Sequence, residues 1–143
     1  MRSCDGCTKC CEGWLTGTIH GKKMWPGKPC HFVQIGKGCS IYQARPEEPC
    51  KTFICEWKKD FEIPEWLKPN ESNVIIRKSV VKISDVDVGF IQVIEAGSVI
   101  SAQTLNWIFL DLVLTKNYNV RYMVNGCYNQ VGTKEFVDYF NKR

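Results

Sequence analysis

Eight of the nine cysteines in this 143-residue chain fall within its first 55 residues, and the run opens Cys4-Asp-Gly-Cys7-Thr-Lys-Cys10-Cys11. Thiols spaced as C-x2-C-x2-C-C can reach one ion or cluster together, whereas few backbones could join them as disulfides without strain. Cys30, Cys39, Cys50 and Cys55 complete the set. The opening Met-Arg-Ser-Cys carries no apolar stretch that would read as a secretory signal. A soluble protein of the reducing cytoplasm is therefore expected, where dense cysteines serve metal binding or catalysis rather than disulfides. The longest apolar stretch, residues 107–114, is interrupted by Asp111 and falls far short of the roughly 20 residues of a membrane span.

A C-x2-C step lets two sulfurs of one tight turn bind the same ion, and Gly6 suits the sharp backbone beside Cys7. Cys10 and Cys11 are chain neighbours, so their side chains diverge. Either one of them turns toward a second centre or the centre is polynuclear. Eight sulfurs match two four-sulfur sites, or one cluster plus one zinc. The formal net charge of +4 invites a nucleic-acid reading. Two divalent ions, each held by four thiolates, would cancel that excess, so the basic residues read instead as counter-charge to anionic centres.

The chain divides into two stretches. Residues 1–62 are rich in Cys, Gly, Pro and Lys without apolar periodicity, and read as a cysteine-cluster lobe of loops that needs metal to fold. A connector with Pro64 and Pro69 follows, and residues 63–143 read as a small α+β domain, or as part of one compact domain with the lobe. Residues 74–76, 80–83 and 88–94 are strand-like, with a turn at 84–87. Leu105, Ile108, Phe109, Leu112 and Val113 give a helix over 102–116 one apolar face, with Ser101 as its cap and residues 117–119 as its end. Val120–Val124 is expected as a strand and Lys134–Asn141 as a helix burying Phe136, Val137 and Phe140. The expected fold is a metal-stapled lobe packed on a small mixed sheet with two helices.

The later cysteines stand in Gly38-Cys39-Ser-Ile41-Tyr42-x2-Arg45-Pro46-x3-Cys50-x2-Phe53-x-Cys55. With the opening run, this text resembles the zinc- or iron-chelating cysteine-cluster family (the CxxCxxCC, YkgJ-like family) in its short, single-domain branch. The likeness covers residues 4 to about 70 and gives every family cysteine a counterpart. One departure is the three residues between Pro46 and Cys50, where two are usual. The resemblance implies metal binding through Cys4, Cys7, Cys10, Cys11, Cys30, Cys39, Cys50 and Cys55, with zinc or an iron–sulfur cluster as the bound group. A larger relative, a flagellin lysine methylase, implies a second class: an iron–sulfur-dependent modifying enzyme working by methyl transfer or redox chemistry. A third class is a zinc scaffold presenting a nucleic-acid or protein interaction surface.

Other residues carry weaker signals. Arg45 and Pro46 read as support for the thiolates, and Tyr42 and Phe53 as apolar cover. His31, beside Cys30, is a candidate fourth ligand of a Cys3His site, though eight cysteines already suffice. His20 reads as a loop residue and Cys127 as a small core residue or an idle thiol. Lys22, Lys23, Trp25 and Lys28, with Lys58 and Lys59, interleave basic and aromatic groups as single-stranded nucleic-acid binders do, but read first as solvated surface. Asp85 and Asp87 read as turn formers.

Overall fold

The first 55 residues fold with almost no apolar interior and very short ladders. The structure, a computed structural model, describes residues 1–4, 6–25 and 28–142. Strands β1 (Gly17–Ile19) and β2 (Lys22–Met24) form a three-residue hairpin. Its two turn residues, His20 and Gly21, both have positive φ, the tight turn whose twist matches the paired strands. The His20 ring nitrogen meets the Ala44 carbonyl at 2.7 Å, so this histidine braces a loop. Strands β3 (Val33–Gln34) and β4 (Gly38–Cys39) pair over two residues. The rest of the lobe is helical turns at Lys9–Cys11, Tyr42–Ala44 and Glu47–Lys51, before the one-turn helices α1 (Glu56–Lys59) and α2 (Pro69–Ser72).

From Val74 onward the chain builds a conventional sheet. Strands β5 (Val74–Ile83) and β6 (Val86–Glu95) are each ten residues long and pair antiparallel along their whole length. Ser84 and Asp85, both at positive φ, make the two-residue turn between them, and Asp87 pairs with Lys82 at 3.2 Å. The two short strands expected at 74–76 and 80–83 are thus one. Arg77 and Lys78 continue the alternation, since only the first three positions of β5 are buried on both faces.

A helix crosses over from β6. It begins as α3 (Ala102–Trp107), where the Ser101 hydroxyl accepts from the Thr104 N–H at 3.1 Å, as the sequence suggests. It then widens into i→i+5 turns over Ile108–Thr115. Asn117, left-handed at φ 57°, stops it. Ile108 and Leu112 are buried, but Phe109 is 37% exposed and meets Tyr122 edge-on at 5.5 Å. The widened turn shifts the apolar stripe off the spacing of an ideal helix.

Strand β7 (Val120–Val124) then pairs parallel to β6, and β8 (Cys127–Val131) pairs antiparallel to β7, giving the order β5-β6-β7-β8. The sequence reading lacks β8, although Asn125-Gly126 at positive φ is the strongest short hairpin signal a sequence offers. Cys127 lies exposed on this edge strand, so it is no core residue. The final helix, α4 (Lys134–Asn141), is capped by Thr133 and buries Phe136 against Phe90. Val137 and Phe140 are half-buried. The architecture is α+β, and no helix among the described residues is long and apolar enough to cross a membrane.

Two polar devices tie the parts together. The Glu95 carboxylate, buried at the end of β6, accepts backbone N–H groups from Ile100 (2.7 Å), Asn125 (2.9 Å) and Gly126 (2.7 Å). Burial pushes its pKa up, but the three donors outweigh burial and hold it below the ordinary carboxyl range. At the other end, Arg2 donates to the carbonyls of Trp57 (2.9 Å), Phe61 (3.2 Å) and Ile63, with its guanidinium 4.9 Å from the Trp57 ring centre. Trp57 shares one buried cluster with Ile63, Leu67, Val74, Val93, Ile108 and Val120. The opening run is thereby held beside α1 and the sheet.

Candidate metal centre

Local backbone chemistry gathers the cysteines. Cys4 and Cys7 bracket a turn closed by the Cys7 N–H on the Cys4 carbonyl at 2.7 Å. Thr8, buried behind them, donates to Glu12 at 2.7 Å and accepts from the Gly36 N–H at 2.9 Å, which docks the β3–β4 turn onto the opening run. The Cys30 N–H donates to the Cys11 carbonyl at 2.8 Å. That approach requires Gly13: it sits at φ 94°, and a side chain there would meet the Lys28 backbone at 2.8 Å. Cys39 ends β4, Cys50 rides the turn Glu47–Lys51, and Cys55 directly precedes α1.

All eight cysteines line one cavity of about 1150 Å³. None is in a disulfide. Their mutual electrostatics fall into two sets. Cys10 feels the charge of Cys11 first and then those of Cys55 and Cys7, and Cys55 feels those of Cys4 and Cys7. Cys30 feels Cys11 and Cys39, while Cys50 feels Cys11, Cys30 and Cys39. The sets are Cys4, Cys7, Cys10 and Cys55 on one side and Cys11, Cys30, Cys39 and Cys50 on the other. They meet where the Cys10 and Cys11 sulfurs approach to 3.9 Å. That contact raises the Cys10 pKa, with burial adding to it. The same contact lowers Cys11 to about 7 against the pull of burial, helped by the Arg45 charge.

Burial pushes Cys30, Cys50 and Cys55 upward. Backbone N–H groups of Phe32 and Val33 at Cys30, and of Lys58 at Cys55, oppose it. Donors aimed at sulfur stabilise a thiolate, as they do around a metal-bound one. Arg45, its guanidinium 3.8 Å over the Tyr42 ring, acts on Cys11 and Cys50. Tyr42 lines the cavity but is 54% exposed, whereas Phe53 packs on Ile75, Ile94 and Ala96. The sulfurs converge without being drawn to coordination distance: among the described residues no group of three or more Cys, His, Asp or Glu stands in metal-holding geometry. By donor chemistry the residues nonetheless fit a thiophilic ion or cluster: eight thiols outside any disulfide on one cavity, with amide donors and an arginine beside them.

His31 is exposed, packs edge-on to Phe32 at 5.0 Å, and does not line the cavity. Trp25 is 45% exposed beneath the Lys28 ammonium at 4.7 Å, and the Pro26 and Gly27 of that basic–aromatic stretch lie outside the described residues. Sequence reasoning missed Arg2, Gly13 and Glu56. Glu56 is a buried carboxylate at the cavity wall, paired with Lys59 at 3.1 Å and Lys78 at 3.8 Å. Of these three, only the glycine two residues after Cys11 carried a readable signal. No family model, no curated protein and no solved structure matches the chain.

Proposed function

We propose that this is a metal-binding protein of the cytoplasm whose amino-terminal lobe is stapled by two four-sulfur centres, Cys4/Cys7/Cys10/Cys55 and Cys11/Cys30/Cys39/Cys50. The observation that carries the reading is that all eight cysteines, none in a disulfide, line one cavity, with the Cys10 and Cys11 sulfurs meeting at 3.9 Å; the neighbours that act on each thiol support the partition into two sets of four. Zinc is the first choice of ion. A site closed by four sulfurs leaves no coordination position for a substrate, so its contribution is to shape the lobe. The CxxCxxCC likeness supports the same ligand set and brings the iron–sulfur alternative with it, because four thiolates suit either group.

Metal content measured by mass spectrometry on anaerobically purified protein tests the proposal. Two zinc ions per chain and a colourless protein are expected. Brown protein containing iron and sulfide moves the reading to an iron–sulfur protein. Protein with neither metal, unable to take up zinc after reduction, overturns it. Cys10→Ser and Cys11→Ser test the partition: each is expected to lose one centre and keep the other. Loss of both ions from either variant overturns the two-centre arrangement in favour of a single polynuclear one.

A further inference from the structure

The wall of the cysteine cavity that lies farthest along the chain from the opening run comes from β5. Arg77 lines it, with its guanidinium carbon 5.7 Å from the centre of the Phe53 ring. The Nε is buried and without a hydrogen-bond partner, and among the described residues the guanidinium has no ion pair. Three of the other cations lining the cavity are already paired. Lys59 and Lys78 both pair with Glu56, and Lys51 pairs with Glu47 at 3.4 Å.

A partly buried guanidinium held against an aromatic ring with no anion is costly to maintain, and a bound oxyanion relieves that cost. The planar fork matches carboxylate and phosphate geometry with two parallel hydrogen bonds. Phe53 lies beside it, and Phe32, Val33 and Ile41 add apolar wall elsewhere in the same cavity. At about 1150 Å³ it exceeds what two ions fill and reaches the size of small-molecule sites. We propose that Arg77 anchors a small organic oxyanion, a carboxylate or phosphate head on an apolar body, within the cysteine cavity. Arg77 belongs to β5, and Phe53 packs on the sheet residues Ile75, Ile94 and Ala96 although it lies between Cys50 and Cys55, so binding is read together with metal content.

Calorimetric titration of the full-length protein with benzoate and, separately, with inorganic phosphate tests it, with metal content measured on each sample. Saturable binding of at least one probe is expected, and the tighter of the two identifies the head group. Arg77→Gln is expected to weaken it about 10- to 100-fold, the cost of removing hydrogen bonds to a charged partner. Arg77→Lys keeps the charge without the fork and is expected to fall between, which separates lost recognition from lost folding. No saturable binding of either probe, or equal binding by wild type and Arg77→Gln, overturns the proposal. So does loss of metal from Arg77→Gln with the fold retained, since the guanidinium would then serve the sulfurs.

Discussion

The two ends of this chain reach order by different physics. Beyond Val74, two ten-residue strands paired in full register share an eleven-residue buried cluster with the crossover helix and the segment from Trp57 to Leu67. Before Cys55, the ladders are two or three residues long, and among the described residues the buried cluster is only Ile19, Met24 and Cys30. Backbone ordering costs of order 1–2 kcal/mol per residue. The sheet half offsets that cost by burying apolar surface. The lobe has too little such surface, yet sets eight thiols around one cavity, which is where an inorganic crosslink would act. Cysteine-dense stretches are therefore better judged by where their sulfurs point than by how much core they bury.

The largest effect expected from this contrast is on metal removal. Chelation under reducing conditions should strip hydrogen-exchange protection from the β1–β2 and β3–β4 hairpins while leaving β5 to β8 protected. The loss should be on the order of 10 kcal/mol of binding free energy for each structural zinc. Equal collapse of both halves would show that the sheet depends on the lobe. Next comes Phe136→Ala, which should cost about 3–5 kcal/mol in urea unfolding, with metal content unchanged. Phe136 is fully buried against Phe90 and Phe140 and does not line the cysteine cavity.

A smaller effect is expected at Glu95. Replacing it with Gln should cost about 1–3 kcal/mol at neutral pH, because three backbone donors lose their anion. The folded-state pKa lies below the unfolded value, so the stabilisation is fully present above the ordinary carboxyl range and fades as pH falls through the folded value. The gap between wild type and Glu95→Gln in chemical denaturation should accordingly narrow on acidification. A gap that widens would reverse the assignment. Smallest of all, Cys127→Ser on the exposed edge of β8 should change stability by less than about 0.5 kcal/mol and leave metal content as it was.

Much of the sheet half was legible because local rules and tertiary packing agree there. Ser101 caps α3, Val120–Val124 is a strand, and Thr133 starts a helix that buries Phe136. What escaped was chemistry that local pattern does not encode. β8 alternates weakly, and its turn dipeptide was the only strong mark. Phe109 left the core because the helix widened, which periodicity at 3.6 residues cannot anticipate. In the lobe, the Cys10 and Cys11 side chains, expected to diverge, instead bring their sulfurs to 3.9 Å, and spacing pointed to the eight cysteines but not to which partners each would face. That depended on contacts distant in sequence: Gly13 against Lys28, Thr8 against Gly36, and Arg2 reaching across to Trp57 and Ile63.

The two cysteine sets are nested along the chain, Cys11 to Cys50 lying wholly between Cys10 and Cys55. If they bind as proposed, synthesis imposes an order: Cys50 emerges before Cys55, so the inner knot can tie while the outer one still lacks its last strand. Tying it first shortens the path from Cys10 to Cys55 from some forty-five residues to a handful, sparing the outer closure about 2 kcal/mol of loop entropy. A nascent chain stalled just after Cys50 would already hold half its metal.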